Sequence, residues 1–129
     1  MRLLQAGLLI ALALAGAGSC HDVNGPAAAT LTVSLGTPNP GADGAVLLTV
    51  TGPSALTSVT AAPGLRVFSQ PLGTTNHFAV TGPLPNGIVL TIGVSDLSQA
   101  GQYVATIQDV AANDYTLRTL AGYSLAISK

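Results

Sequence analysis

The chain has 129 residues and a formal net charge of −1, enough length for one domain with a core of its own. Its four cations, Arg2, Arg66, Arg118 and Lys129, lie far apart in sequence and form no basic stripe, which argues against a charge-built nucleic-acid surface. One cysteine, Cys20, excludes an internal disulfide framework.

Met1-Arg2 is a minimal positive start, and from Leu3 to Ala15 the one polar side chain is Gln5. A run of this length matches the apolar core of a signal peptide and is too short for a spanning helix. The small residues Gly16-Ala17-Gly18-Ser19 suit the narrow cleft of a signal peptidase, and Cys20 follows them. The stretch resembles bacterial lipoprotein signal peptides, whose lipobox ends in a small residue and a cysteine, here Ser19-Cys20. Where that family usually has Leu three residues before the cysteine, this chain has Ala17. The resemblance covers residues 1–20. It implies a signal helix over residues 1–19 and a lipid on the Cys20 sulfur, with palmitate-like acyl chains. Two or three such chains give a stable anchor where one gives a marginal one. The alternative is an ordinary secretory signal that leaves Cys20 as a free thiol, which is a liability when exposed. In Gram-negative lipoproteins an Asp directly after the lipidated cysteine favours the inner membrane. Here that place holds His21, with Asp22 one later. The expected location is therefore the cell envelope, at the outer membrane or cell surface rather than the inner membrane.

Residues 20–29, with Asn24-Gly25-Pro26 and three alanines, read as a tether. The remainder, residues 30–129, reads as nearly all β. Thr, Val, Ser, Gly and Pro dominate it, glutamate is absent, and the common helix-surface residues are scarce. Leu31, Val33 and Leu35 alternate with Thr32 and Ser34 as a half-buried first strand. Gly36–Gly44 is a loop ending in the turn pair Asp43-Gly44. Ala45–Thr51 places Val46, Leu48 and Val50 on one face, and Leu47 breaks the alternation. Leu56–Ala62 is a weaker strand that stops at Pro63-Gly64. Leu65–Gln70 follows, then a loop over Pro71–Asn76. His77–Thr81 directs Phe78 and Val80 inward.

After the turn Gly82–Gly87, the residues Ile88, Leu90, Ile92 and Val94 make the cleanest apolar face and predict a strand at the centre of the core. Ser95–Gln102 predicts one helical turn, capped by Ser95 and stopped by Gly101. Tyr103, Ala105 and Ile107 share a face, Asp109–Asp114 is a bend, Tyr115–Leu120 is a strand candidate, and Tyr123, Leu125 and Ile127 line the last strand. Val50-Thr51-Gly52-Pro53 recurs as Val80-Thr81-Gly82-Pro83, read as one turn chemistry used twice rather than a duplicated hairpin. The sum is an all-β fold, a single antiparallel β-sandwich of about eight or nine short strands at roughly ten-residue spacing.

Chemistry is sparse. His77 is the one histidine within residues 30–129, and no G-x-S-x-G elbow exists. Asp96, Asp109 and Asp114 are the candidates for a carboxylate pair, but acids in loop-like sequence usually cap or turn. Asp109, Asn113 and Asp114 offer three oxygen ligands for calcium in a short span, against the six to eight that the ion takes. Tyr103 and Tyr123 are expected in the core and Tyr115 outside, beside Arg118. No cofactor is expected beyond that calcium option.

The strand rhythm and the segment Gly101-Gln102-Tyr103-Val104-Ala105-Thr106-Ile107 are similar to the immunoglobulin-like and cohesin-like sandwiches of bacterial surface proteins. The resemblance implies a non-catalytic module that recognises a protein or a glycan, anchored to a membrane through Cys20. The alternative is a structural accessory subunit of a larger envelope complex.

Overall fold

The computed structural model describes residues 26–129. The stretches expected to form a signal helix and a lipobox, with Cys20, lie outside the described residues. Eight strands follow in chain order: β1 (Ala29–Gly36), β2 (Asp43–Thr51), β3 (Ser58–Ala61), β4 (Arg66–Leu72), β5 (Thr75–Thr81), β6 (Gly87–Val94), β7 (Val104–Ala112) and β8 (Ser124–Ser128). A 3₁₀ turn, Leu97–Gln102, joins β6 to β7. The strands form two antiparallel four-stranded sheets, ordered β3-β6-β1-β8 (sheet A) and β4-β5-β2-β7 (sheet B). The protein is an all-β sandwich, as the spacing of apolar runs predicts.

Alternation builds the core. Leu31, Val33 and Leu35 of β1 and Leu90, Ile92 and Val94 of β6 are buried from sheet A. They meet Val46, Leu48 and Val50 of β2 and Phe78 and Val80 of β5 from sheet B. Because the side-chain period of a strand is two, these residues face inward and their Thr and Ser neighbours face out. Partly buried Val59, Val67, Ala105, Ile107, Leu125 and Ile127 close the flanks from the four edge strands.

The register fixes two poles. At the near pole β1 begins, β6 and β8 end, and the 3₁₀ turn sits: Ala29 pairs with Val94, and Thr32 with Ser128. The end of β2, the β4–β5 hairpin and the start of β7 lie at the same end of sheet B, since Thr51 pairs with both Thr75 and Val104. At the far pole are the β1–β2 loop, the β5–β6 turn and the long β7–β8 crossover.

Several expectations are corrected. Ile88 is 46% exposed, while Val89 and Leu90 are both buried. Opposite them, β1 advances one residue where β6 advances two, Val33 facing Leu90 and Ser34 facing Ile88. This bulge at Val89 shifts the face of β6, so its alternation does not persist to the strand's start. Pro71–Asn76 is a hairpin rather than a loop. Leu72 pairs with Thr75 across Gly73-Thr74, and Gly73 has φ 67°, as a type II′ turn requires at its first central position. Pro71 is tolerated because β4 is an edge strand. Tyr115–Leu120 is not a strand. It makes one bridge, Leu117 to Ala111, and Tyr115 has φ 65°, which extended strands do not contain. Asp109 lies inside β7 rather than in a bend. The 3₁₀ turn is capped by Asp96, one residue after Ser95, and Gly101 falls within it.

The two Val-Thr-Gly-Pro copies end neighbouring antiparallel strands at opposite poles. Gly82 has φ 122°, whereas Gly52 is absent from the residues with positive φ. The chemistry is shared and the backbone geometry is not.

Candidate functional site

Asp43 reads in sequence as a turn residue. The structure corrects this: it opens β2 and is fully buried. Its carboxylate accepts hydrogen bonds from Thr37 Oγ1 at 2.6 Å, from the Tyr123 hydroxyl at 2.9–3.0 Å and from Arg118 Nε at 2.5 Å. The Tyr123 hydroxyl also accepts from Asn39 Nδ2 at 3.1 Å, and Thr37 Oγ1 accepts from the Asn39 N–H at 2.9 Å. A buried carboxylate needs this many donors to offset its desolvation. Held by these donors, it is a fastening point, tying the β1–β2 loop to two points of the β7–β8 crossover. Sequence reasoning missed it because its partners Arg118 and Tyr123 stand 75 and 80 residues away. Arg118 therefore turns to Asp43, where the sequence suggested Tyr115 as its neighbour.

The aspartates singled out for chemistry are dispersed. Asp96 precedes the 3₁₀ turn at the near pole, where its Oδ1 accepts from Ser98 N at 3.0 Å and Ser98 Oγ at 2.6 Å. Asp109 is paired with Leu47 in the β2–β7 ladder. Asn113 donates from Nδ2 to the Gly41 carbonyl at 3.3 Å. Asp114 accepts from Thr116 N at 3.1 Å and from Thr116 Oγ1. The Thr116 hydroxyl, with the Thr116 N–H behind it, holds the Asp114 carboxyl below its usual range. Asn113 and Asp114 thus act as turn formers at the far pole. Among the described residues no three His, Cys, Asp or Glu side chains come together as a metal-binding group.

The outer face of sheet B presents a different kind of surface. Directly opposed residues share a face, so the ladders set three rows across it: Phe68–Ala79–Leu47–Asp109, Gln70–His77–Thr49–Thr106 and Leu72–Thr75–Thr51–Val104. Phe68 and Val104 are each 58% exposed, Leu72 is 55% and Leu47 is 42%. Between Leu47, Phe68, Gln70, His77 and Gln108 lies an open depression of about 350 Å³. Gln108 is the extra residue of a second bulge, where Leu47 faces Asp109 and Leu48 faces Ile107. The break in alternation at Leu47 was the one local signal of this face. Its floor is apolar, and its rim carries two amides and one half-buried imidazole. Such a surface suits the burial of an apolar anchor from a partner more than bond-making chemistry.

The chain matches no protein-family model, no curated protein and no solved structure in comparisons of its sequence and fold.

Proposed function

We propose that this protein is a non-catalytic recognition module, tethered to the cell envelope by lipid on Cys20, which docks a protein partner on the outer face of sheet B. The observation that carries the reading is the open depression beneath Phe68 and Leu47, two large apolar side chains that stand exposed on this sheet face. Exposed apolar area of this kind marks an interaction surface. A protein partner fits it, since an apolar side chain can fill the floor while Gln70, His77 and Gln108 at the rim bond its polar groups. The lipobox-like ending Ser19-Cys20 supports the tether.

The same face also favours the second reading, an accessory subunit of a larger envelope complex, whose docking face is always occupied. A photo-crosslinking amino acid at position 68, installed in the full chain in its own envelope, tests the docking face. The expected result is one adduct of defined mass, absent when the crosslinker is moved to Thr60 on the edge strand β3. Adducts of every size, or none, contradict the assigned face. An adduct that consumes all of the protein assigns the subunit reading, and a partial adduct assigns recognition.

A further inference from the structure

We infer that the near pole of the sandwich rests on the lipid surface, with Leu72 and Leu97 reaching the headgroup boundary. The inference rests on the proposed lipid at Cys20. The described chain enters the fold at this pole, where the Ala27 carbonyl accepts the Leu97 N–H at 2.8 Å. From Cys20 to Ala27 a fully extended chain spans about 25 Å at most, so a lipid on Cys20 holds this pole within that reach of the bilayer and lets it settle there. The strands that separate the poles are eight or nine residues long in β1, β2, β6 and β7, about 25–30 Å, so the far pole stands outward.

Tyr115 and Leu117 are more exposed at the far pole, so the tether rather than apolar area selects the near pole, whose side chains suit the contact. The tip of the β4–β5 hairpin, Leu72-Gly73-Thr74-Thr75, is uncharged and ends in a side chain that is 55% exposed. Leu97 is 37% exposed on the 3₁₀ turn, and Val104 is 58% exposed where β7 begins. Among the charged residues here, Asp96 spends its carboxylate on the cap and Lys129 is a cation beside β8. Apolar side chains with a lysine beside them are the composition of a shallow interfacial contact. Arg66, Asp109 and Asp114 lie toward the far pole. The outer face of sheet B then stands upright on the membrane, open to a partner approaching from the side.

Site-directed fluorescence tests the contact. The full chain carrying Leu72→Cys, Leu97→Cys or Leu117→Cys is purified from membranes and labelled with an environment-sensitive fluorophore. It is then reconstituted into phosphatidylethanolamine–phosphatidylglycerol vesicles brominated high on the acyl chains, and each sample is weighed intact. All three sites are exposed, so the fold survives the changes. The expected result is blue-shifted emission and loss of intensity by bromine quenching at 72 and 97, with neither at 117 on the far pole. An acylated protein whose probes at 72 and 97 are as wet as the probe at 117 overturns the inference. Probes that shift in native envelope but escape bromine quenching also overturn it, because a protein then covers the pole. A chain with no acyl mass overturns the tether beneath it, and the mass separates that failure from the others.

Discussion

Asp43 carries more of the fold than any other polar residue among those described. Its carboxylate gathers one cation and two hydroxyls, one from the β1–β2 loop and two from the β7–β8 crossover. Asp43→Ala orphans the Thr37 and Tyr123 hydroxyls in the interior, with an expected cost of about 3 kcal/mol in urea unfolding. Arg118 is 30% exposed, so Arg118→Met costs less, about 1–2 kcal/mol after solvent screening. The double variant should show a coupling of about 1 kcal/mol or more; additive costs would mean that the two side chains act independently. Nothing near Asp43 in sequence announces this role, because Asp-Gly is also a common turn pair and the partners arrive through the fold. Asp114 is the opposite case, a turn residue readable from its neighbours. Its folded pKa lies below the ordinary 3.8, so the stability it contributes is present above that value and fades as pH falls through the lowered one. In Thr116→Val the carboxyl titration, followed by NMR, should move up toward 3.8. An unmoved titration would assign the shift to the backbone instead.

Strands with unbroken alternation were legible, and strands with bulges were legible only in part. β1 and β8 follow their apolar pattern throughout. In β6 the pattern points to Ile88, but the bulge opposite Val33 and Ser34 turns Val89 inward. Val89→Ala should therefore cost about 2 kcal/mol, while Ile88→Thr changes stability by less than about 0.5 kcal/mol. Reversed magnitudes in the two denaturation curves would restore the alternating reading. The crossover after β7 misled for a related reason. Its residues have strand-like composition, yet Arg118 is drawn to Asp43 and Tyr115 takes a left-handed backbone. Composition reports what a residue tolerates, and tertiary contacts decide what it adopts. Gly52 shows the same limit at the end of β2. A Cβ there would run into the Tyr103 ring. Gly52→Ala should cost about 1–3 kcal/mol by overpacking, read from its thermal midpoint; an unchanged midpoint would show that the ring yields freely.

At the scale of the molecule, sheet class was readable and sheet order was not. Alternation tells which side chains go inward, but nothing in it tells β1 to pair with β6 and β8, or β2 with β5 and β7. That order creates the outer face of sheet B, gathering Phe68, His77, Leu47 and Gln108 from four strands. It also places the chain's entrance and the Asp43 fastening at opposite poles. In the proposed attachment, a protein held by its near pole keeps the depression under Phe68 and the fastened loops away from the membrane, and the envelope reading depends on that attachment. The most direct test is the intact mass of the protein purified from membranes, beside a Cys20→Ala variant, with detergent partitioning of each. The account predicts a wild-type chain that begins at Cys20, carries acyl mass and enters the detergent phase, and a variant that stays in water. An unmodified wild-type chain that partitions to water with the variant would contradict it.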